Sequence, residues 1–289
     1  MYLSELFKKK KFIITVELPP PKGTEYQKTL DIATSIKGMV DGINVTDNQR
    51  AIMRMSSLAF SRLIKDTGNE PIMQVCCRDR NRLALQSDIL GAAALGIKNL
   101  CLMTGDHTVL GDHPEAKPVF DVDSVQLIRM VREMESGENS SGVKILTNMS
   151  FSIGGVANPF AEPFDLQVMK LKKKVQAGAV FFQTQPFFDQ ESILKFIDDV
   201  KGINAKFLIG FTPLKSLKMV RFMNKHILTK PVPESISKRL EKSSNQALEG
   251  IKIVVELISE IREITDKIHG IHIMPVGLES YLPYLLEKL

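Results

Sequence analysis

The chain has 289 residues, 44% of them apolar, and a formal net charge of +5. That length and apolar content can bury a large core, either as one α/β barrel or as two modest domains. The mild positive balance suits anionic small ligands better than nucleic acid, because the lysines and arginines are scattered and no tryptophan accompanies them.

In chain order, the dense run Lys8 to Lys11 comes first and reads as a solvated approach to a sheet. Short, nearly continuous apolar runs bounded by Gly, Pro or polar turns then recur at residues 12–18, 42–47, 71–77, 98–106, 144–151, 179–186, 206–213 and 270–277. This is the pattern of strands in a buried parallel sheet. Helical periodicity fills the gaps. Residues 52–66 place Ile52, Met55, Leu58, Ala59 and Leu63 on one face, and residues 124–134 do so with Val125, Ile128, Val131 and Met134. Residues 243–268 carry Ala247, Ile251, Val254, Val255, Ile258 and Ile261. Strand and helix alternate from end to end without a linker, and no G-x-G-x-x-G follows a strand. The expected fold is therefore α/β: a single (β/α)8 TIM barrel over residues 1–289, with its site at the C-terminal ends of the strands.

Cys76, Cys77 and Cys101 lie in strand-like runs without C-x-x-C spacing, and the histidines lack H-x-x-x-H spacing. The thiols read as core, and no metal site is expected. No stretch reaches the roughly 20 apolar residues of a membrane span, and the N-terminus lacks a signal peptide's apolar core. A soluble, cytoplasmic protein that binds neither membrane nor nucleic acid is expected.

The strand ends carry Glu17, Thr46 to Gln49, Gln74, Thr104 to Asp106, Ser150 and Ser152, Thr184 and Gln185, and Thr212. Glu17 stands out, since the proline run Pro19 to Pro21 fixes the loop beside it. Longer intervals at residues 106–122 and 152–164 belong to the same mouth, whereas residues 134–143 read as a flexible turn on the opposite side. Two carboxylates with amides and hydroxyls suit proton delivery and hydrogen bonding to a polar heterocycle, not hydrolysis by a nucleophile. Competing structural roles stand beside these. Asp47, Asn48 and Thr212 also suit helix caps, Phe187 and Phe188 suit the core as well as a stacking surface, and Lys170 to Lys174 suit a solvated helix face as well as phosphate pairing. His107 and His113 flank the loop after the fourth strand and are further acid/base candidates.

Several motifs together resemble the flavin-dependent methylenetetrahydrofolate reductases. They are V-E-L-P-P-P at 16–21, V-T at 45–46, T-G-D at 104–106, K-P-V-F at 117–120, G-G-V-A-N-P at 154–159, L-K-K-K-V-Q-A-G-A at 171–179 and T-Q-P-F-F-D at 184–189. The resemblance implies hydride transfer from reduced flavin to 5,10-methylenetetrahydrofolate, giving 5-methyltetrahydrofolate. Glu17 matches the family's general acid, and Asp106 its carboxylate near flavin and pterin. The flavin-site positions fall on Thr46, Gln74, Thr104, Gly105, Asp106, Asn158, Ala161, Lys173 and Lys174, and the substrate positions on Gln185 and Phe222.

Departures accompany the match. Well-known members carry histidine at Gln74 and Asn158, arginine at Thr104, Lys173 and Leu278, aspartate at Gln167 and glutamine at Met219. FAD is the implied cofactor and FMN the alternative. The implied electron donor is NAD(P)H, with Phe222 as the stacking aromatic, or an iron–sulfur electron-donor subunit, within a homo- or hetero-oligomer. Exposed methionines and phenylalanines on the helix after the seventh strand would favour a docking face there. The alternative function is a flavin- and pterin-binding barrel subunit of a larger electron-transfer complex that does not use NAD(P)H directly. A non-redox pterin-binding barrel, such as a methyltransferase, is a third reading.

Overall fold

The structure is a computed structural model of residues 1–289 and describes all of them except Lys11 and Asp266. The first half of the chain forms α1 (Leu3–Lys9), β1 (Ile13–Glu17), α2 (Gln27–Ser35), β2 (Gly42–Val45), α3 (Ser57–Asp66), β3 (Pro71–Cys76), α4 (Arg82–Ala94), β4 (Asn99–Met103) and α5 (Ser124–Glu135). The second half forms β5 (Ser152–Ala157), α6 (Phe164–Ala177), β6 (Phe181–Pro186), α7 (Gln190–Asp199), β7 (Lys206–Phe211), α8 (Leu217–His226), α9 (Glu234–Lys242), α10 (Gln246–Ile264), β8 (Gly270–Ile273) and α11 (Leu282–Leu286). Every strand runs parallel to the next, and β8 pairs with β1, so the eight strands close into a barrel ringed by helices. This is the expected (β/α)8 architecture.

Side-chain alternation along the strands builds two cores. Outward residues such as Val16, Ile43, Val75, Phe182 and Ile271 pack against the helices, while Ile13, Ile72, Cys101, Phe181 and Leu208 fill the barrel's lower interior. The helix starts are set by side-chain caps. Asn81, Asp189, Ser216 and Asn245 each accept a backbone N–H, and Asp123 makes a reciprocal capping box with Gln126. Helix α1 lies across the N-terminal end of the barrel, where Leu3 N–H donates to Asn99 Oδ1 at 2.8 Å and Ser4 N–H to Ser152 Oγ at 2.9 Å. Among the described residues, no helix is long and apolar enough to cross a membrane.

Three expectations need correction. The fifth strand is residues Ser152–Ala157, not 144–151. Ser152 therefore opens β5 at the N-terminal end of the barrel and meets α1, away from the mouth, and Ser150 precedes the strand. Helix α3 begins at Ser57, not at residue 52, and buries Phe60 and Ile64 while Ala59 is exposed. Ile52 is extended at φ −98° and ψ 125°, and Ser56 has ψ 132°, so the backbone becomes helical only at Ser57. Asp47 and Asn48 do not cap a helix. Asp47 accepts Cys76 N–H and pairs with Arg80, and Asn48 accepts Arg54 N–H at 2.9 Å.

Candidate active site

Glu17 ends β1 facing the barrel axis and is only 6% exposed. Burial pushes its carboxyl up to about 7. The Gln49 amide opposes that by donating to Oε1 at 3.0 Å. Glu279 raises the value further, whereas Arg54 and the Gln74 amide pull it down. Desolvation prevails, which is the condition for a carboxylic acid that still holds its proton near neutral pH. His272 lies below, its Nε2 4.0 Å from Glu17 Oε2, and burial lowers its imidazole to about 3.

The turn that carries Gln49 is held from several sides. Arg78, itself buried, donates to the carbonyls of Asn48 and Asp106 at 3.1 and 3.2 Å and pairs with Asp79 at 2.7 Å. One guanidinium thereby ties together the loops that follow β2, β3 and β4. Gly111 passes so close to the Ala51 carbonyl that an added Cβ would lie 1.8 Å from it. At the other side of the turn, Arg50 sits 5.4 Å from the Phe222 ring centroid on α8.

The expected cofactor and substrate positions are distributed as follows. Thr46 follows β2 and is fully buried, with no hydrogen-bond partner for its hydroxyl. Gln74 is buried beside Glu17. Thr104 accepts Ser124 N–H at 3.3 Å, and Gly105 turns at φ 91° against Cys76 and Arg78. Asp106 and Gln185 are exposed at the ends of β4 and β6. Asn158 follows β5 directly, and its side chain accepts Phe160 N–H at 3.0 Å beside half-buried Ala161.

The lysine run splits. Lys170, Lys172 and Lys173 are exposed, as a solvated face requires, but Lys174 is only 4% exposed. Its ammonium donates to the Val156 carbonyl at 2.9 Å, and burial lowers it to about 8. Phe222 is 46% exposed, while its neighbours Met219 and Met223 are buried against Val220 and Leu240, so α8 does not present them as a docking face. Phe187 and Phe188 are core, with Phe187 edge-on to Phe160 at 5.1 Å. His107 caps a short turn and His113 pairs with Asp112, both on the exposed loop after β4. The three cysteines are buried, and desolvation pushes the thiols of Cys77 and Cys101 up to about 12, which makes them inert.

Arg78 and His272 were not singled out from sequence, and Gln49 was placed at the mouth without a role. A signal for the inner polar residues was nevertheless present. Thr15 and Glu17, and Asn44 and Thr46, are polar pairs two residues apart within otherwise apolar runs, the period that sends both members to the same face.

A sequence profile of the family described as methylenetetrahydrofolate reductase matches residues 2–289. Methylenetetrahydrofolate reductase 2 of Schizosaccharomyces pombe is 25% identical over 238 residues, 75% of this chain and 35% of that protein. The 5,10-methylenetetrahydrofolate reductase of Escherichia coli is 26% identical over 215 residues, 72% of this chain and 67% of that protein. The chain thus spans about a third of the length of the fission-yeast relative. Among solved structures, an uncharacterized protein from Clostridium thermocellum, described as binding two copies of 5-methyl-5,6,7,8-tetrahydrofolic acid, shares the fold. Its TM-score is 0.68 at 18% identity, over 99% of this chain and 97% of that one. The profile match extends across both the barrel strands and the loops of the mouth, and by it the chain belongs to the methylenetetrahydrofolate reductase family.

Proposed function

We propose that this chain reduces 5,10-methylenetetrahydrofolate to 5-methyltetrahydrofolate, with Glu17 as general acid. The observation that carries the reading is Glu17 itself, a buried carboxyl at a strand end, pushed up to about 7. Such a group is about half protonated at pH 7 and still acidic enough to give its proton away. The bond between N10 and the methylene carbon breaks with its electrons going to N10, which takes the proton of Glu17. The methylene carbon is left as a 5-iminium cation, and hydride then completes the methyl group. The negative charge of Asp106 favours that cation, and the exposed Gln185 amide offers both a donor and an acceptor to a pterin edge. The Gln49 amide donates to Glu17 Oε1, the interaction that N10 would compete with.

A bound reduced flavin supplies the hydride. Two observations support that cofactor. The buried Thr46 hydroxyl lacks a partner, and Lys174 is a buried ammonium with no carboxylate in ion-pair contact among the described residues. An unpartnered donor and an uncompensated cation fit a phosphate-bearing polar heterocycle. FAD is the first choice and FMN the alternative. Exposed Phe222 supports NAD(P)H as the electron source. Activity with an artificial reductant but with neither NADH nor NADPH would favour a protein donor instead.

The decisive test is Glu17→Gln. The variant should bind flavin and accept electrons like the parent, but reduce methylenetetrahydrofolate at least about 100-fold more slowly. Undiminished folate turnover would remove Glu17 from the acid's role, and a colourless protein after gentle purification would remove the flavin.

A further inference from the structure

Directly beneath Glu17 the barrel interior holds a buried polar layer: Thr15 on β1, Asn44 on β2, Gln183 on β6 and His272 on β8. Its contacts bear directly on the histidine's tautomer. Thr15 Oγ1 donates its single proton to the Ile271 carbonyl at 3.2 Å, and lies 3.0 Å from His272 Nδ1. When that proton lies on the carbonyl, the hydroxyl accepts from Nδ1–H, and Nε2 then carries no hydrogen. Nε2 is the ring nitrogen that faces Glu17 Oε2, at 4.0 Å. Asn44 Nδ2 lies 3.2 and 3.3 Å from the two ring nitrogens, bracing the ring from the adjoining strand.

We propose that His272 is a positioning residue for the acid: locked as the Nδ1–H tautomer by Thr15, it offers a bare Nε2 to Glu17 from below and holds that carboxyl in its protonated form. The separation of 4.0 Å is longer than a hydrogen bond, so the contact requires the Glu17 side chain to rotate towards Nε2. Burial keeps the imidazole neutral, as an acceptor must be. Other groups facing Glu17 act in known directions: Gln49, Gln74 and Arg54 favour the carboxylate, Glu279 opposes it, and Cys101 on the adjoining face stays a neutral thiol. His272 is the neutral acceptor in this set. Its effect on catalysis rests on the reductase reading, but its effect on the Glu17 proton does not.

The test is a pH titration of the Glu17 carboxyl band by difference infrared spectroscopy on the full chain, with the band assigned by its loss in Glu17→Gln. His272→Phe keeps the bulk and the desolvation but removes the acceptor. The Glu17 midpoint should fall by about one pH unit, a roughly tenfold loss of proton affinity. Thr15→Val releases the tautomer and should lower the midpoint in the same direction, while Thr15→Ser should restore the parental value. An unchanged or raised midpoint in His272→Phe overturns the proposal. If that variant does not fold, an unchanged midpoint in Thr15→Val overturns it equally. A parental protein whose band titrates but which reduces no methylenetetrahydrofolate would sink the reductase reading and leave the His272 measurement decisive. Full activity with an immovable midpoint would sink the role of His272 alone.

Discussion

A carboxyl buried so that it titrates near pH 7 is a liability to the fold that holds it. Glu17 has a folded-state value of about 7 against an ordinary 4.5, so the folded protein binds its proton more tightly than the unfolded chain does. Stability from this group is complete below pH 4.5 and is lost progressively as pH rises through 7. The loss reaches about 3 kcal/mol. Glu17→Gln, which cannot ionise, should therefore match the parent in denaturant unfolding at pH 4 and exceed it by up to about that amount at pH 8. Equal stabilities at both pH values would mean that Glu17 titrates normally. The placement of Glu17 at the mouth was legible because a strand and a proline run bracket it. Lys174 was masked by three neighbouring lysines, although its spacing from Leu171 and Ala177 puts it on the buried face of α6.

At the scale of elements, the misplaced fifth strand shows what the sequence hides. Residues 144–151 carry larger apolar side chains, Ile145, Leu146, Met149 and Phe151, than the real β5, which contains Gly154 and Gly155. Glycine has little strand propensity of its own. Its presence is explained by β6: a Cβ on Gly154 would lie 2.3 Å from the Phe181 ring, which occupies the barrel axis at that level. One strand gives up its side chain so that a neighbour's aromatic can fill the interior, and no local pattern within residues 152–157 reveals this. Gly154→Ala should cost about 1–3 kcal/mol through overpacking. Adding Phe181→Leu should recover part of that loss in a double-mutant cycle. Simple additivity of the two changes would show that the glycine answers to something other than Phe181.

Across the whole molecule, the two ends of the barrel carry different burdens, and the parallel strands are what separate them. At the C-terminal end, β1 and β6 present Glu17 and Gln185, and the loop after β4 presents Asp106. The N-terminal end is closed by α1, whose Leu3 is 1% exposed among Ile13, Ile72, Phe181 and Leu208, and whose Phe7 ring lies 6.1 Å from that of Phe181. Between them stands the polar layer of Thr15, Asn44, Gln183 and His272, bonded within itself. A cavity made below that layer has no polar route to the acid above it. Leu3→Ala should accordingly lower unfolding stability by about 3 kcal/mol and leave the pH midpoint of Glu17 and the KM for folate unchanged. If the midpoint moved with stability, the barrel interior would transmit packing changes from one end to the other, and the burial of Glu17 would depend on the whole interior, not on the residues that touch it.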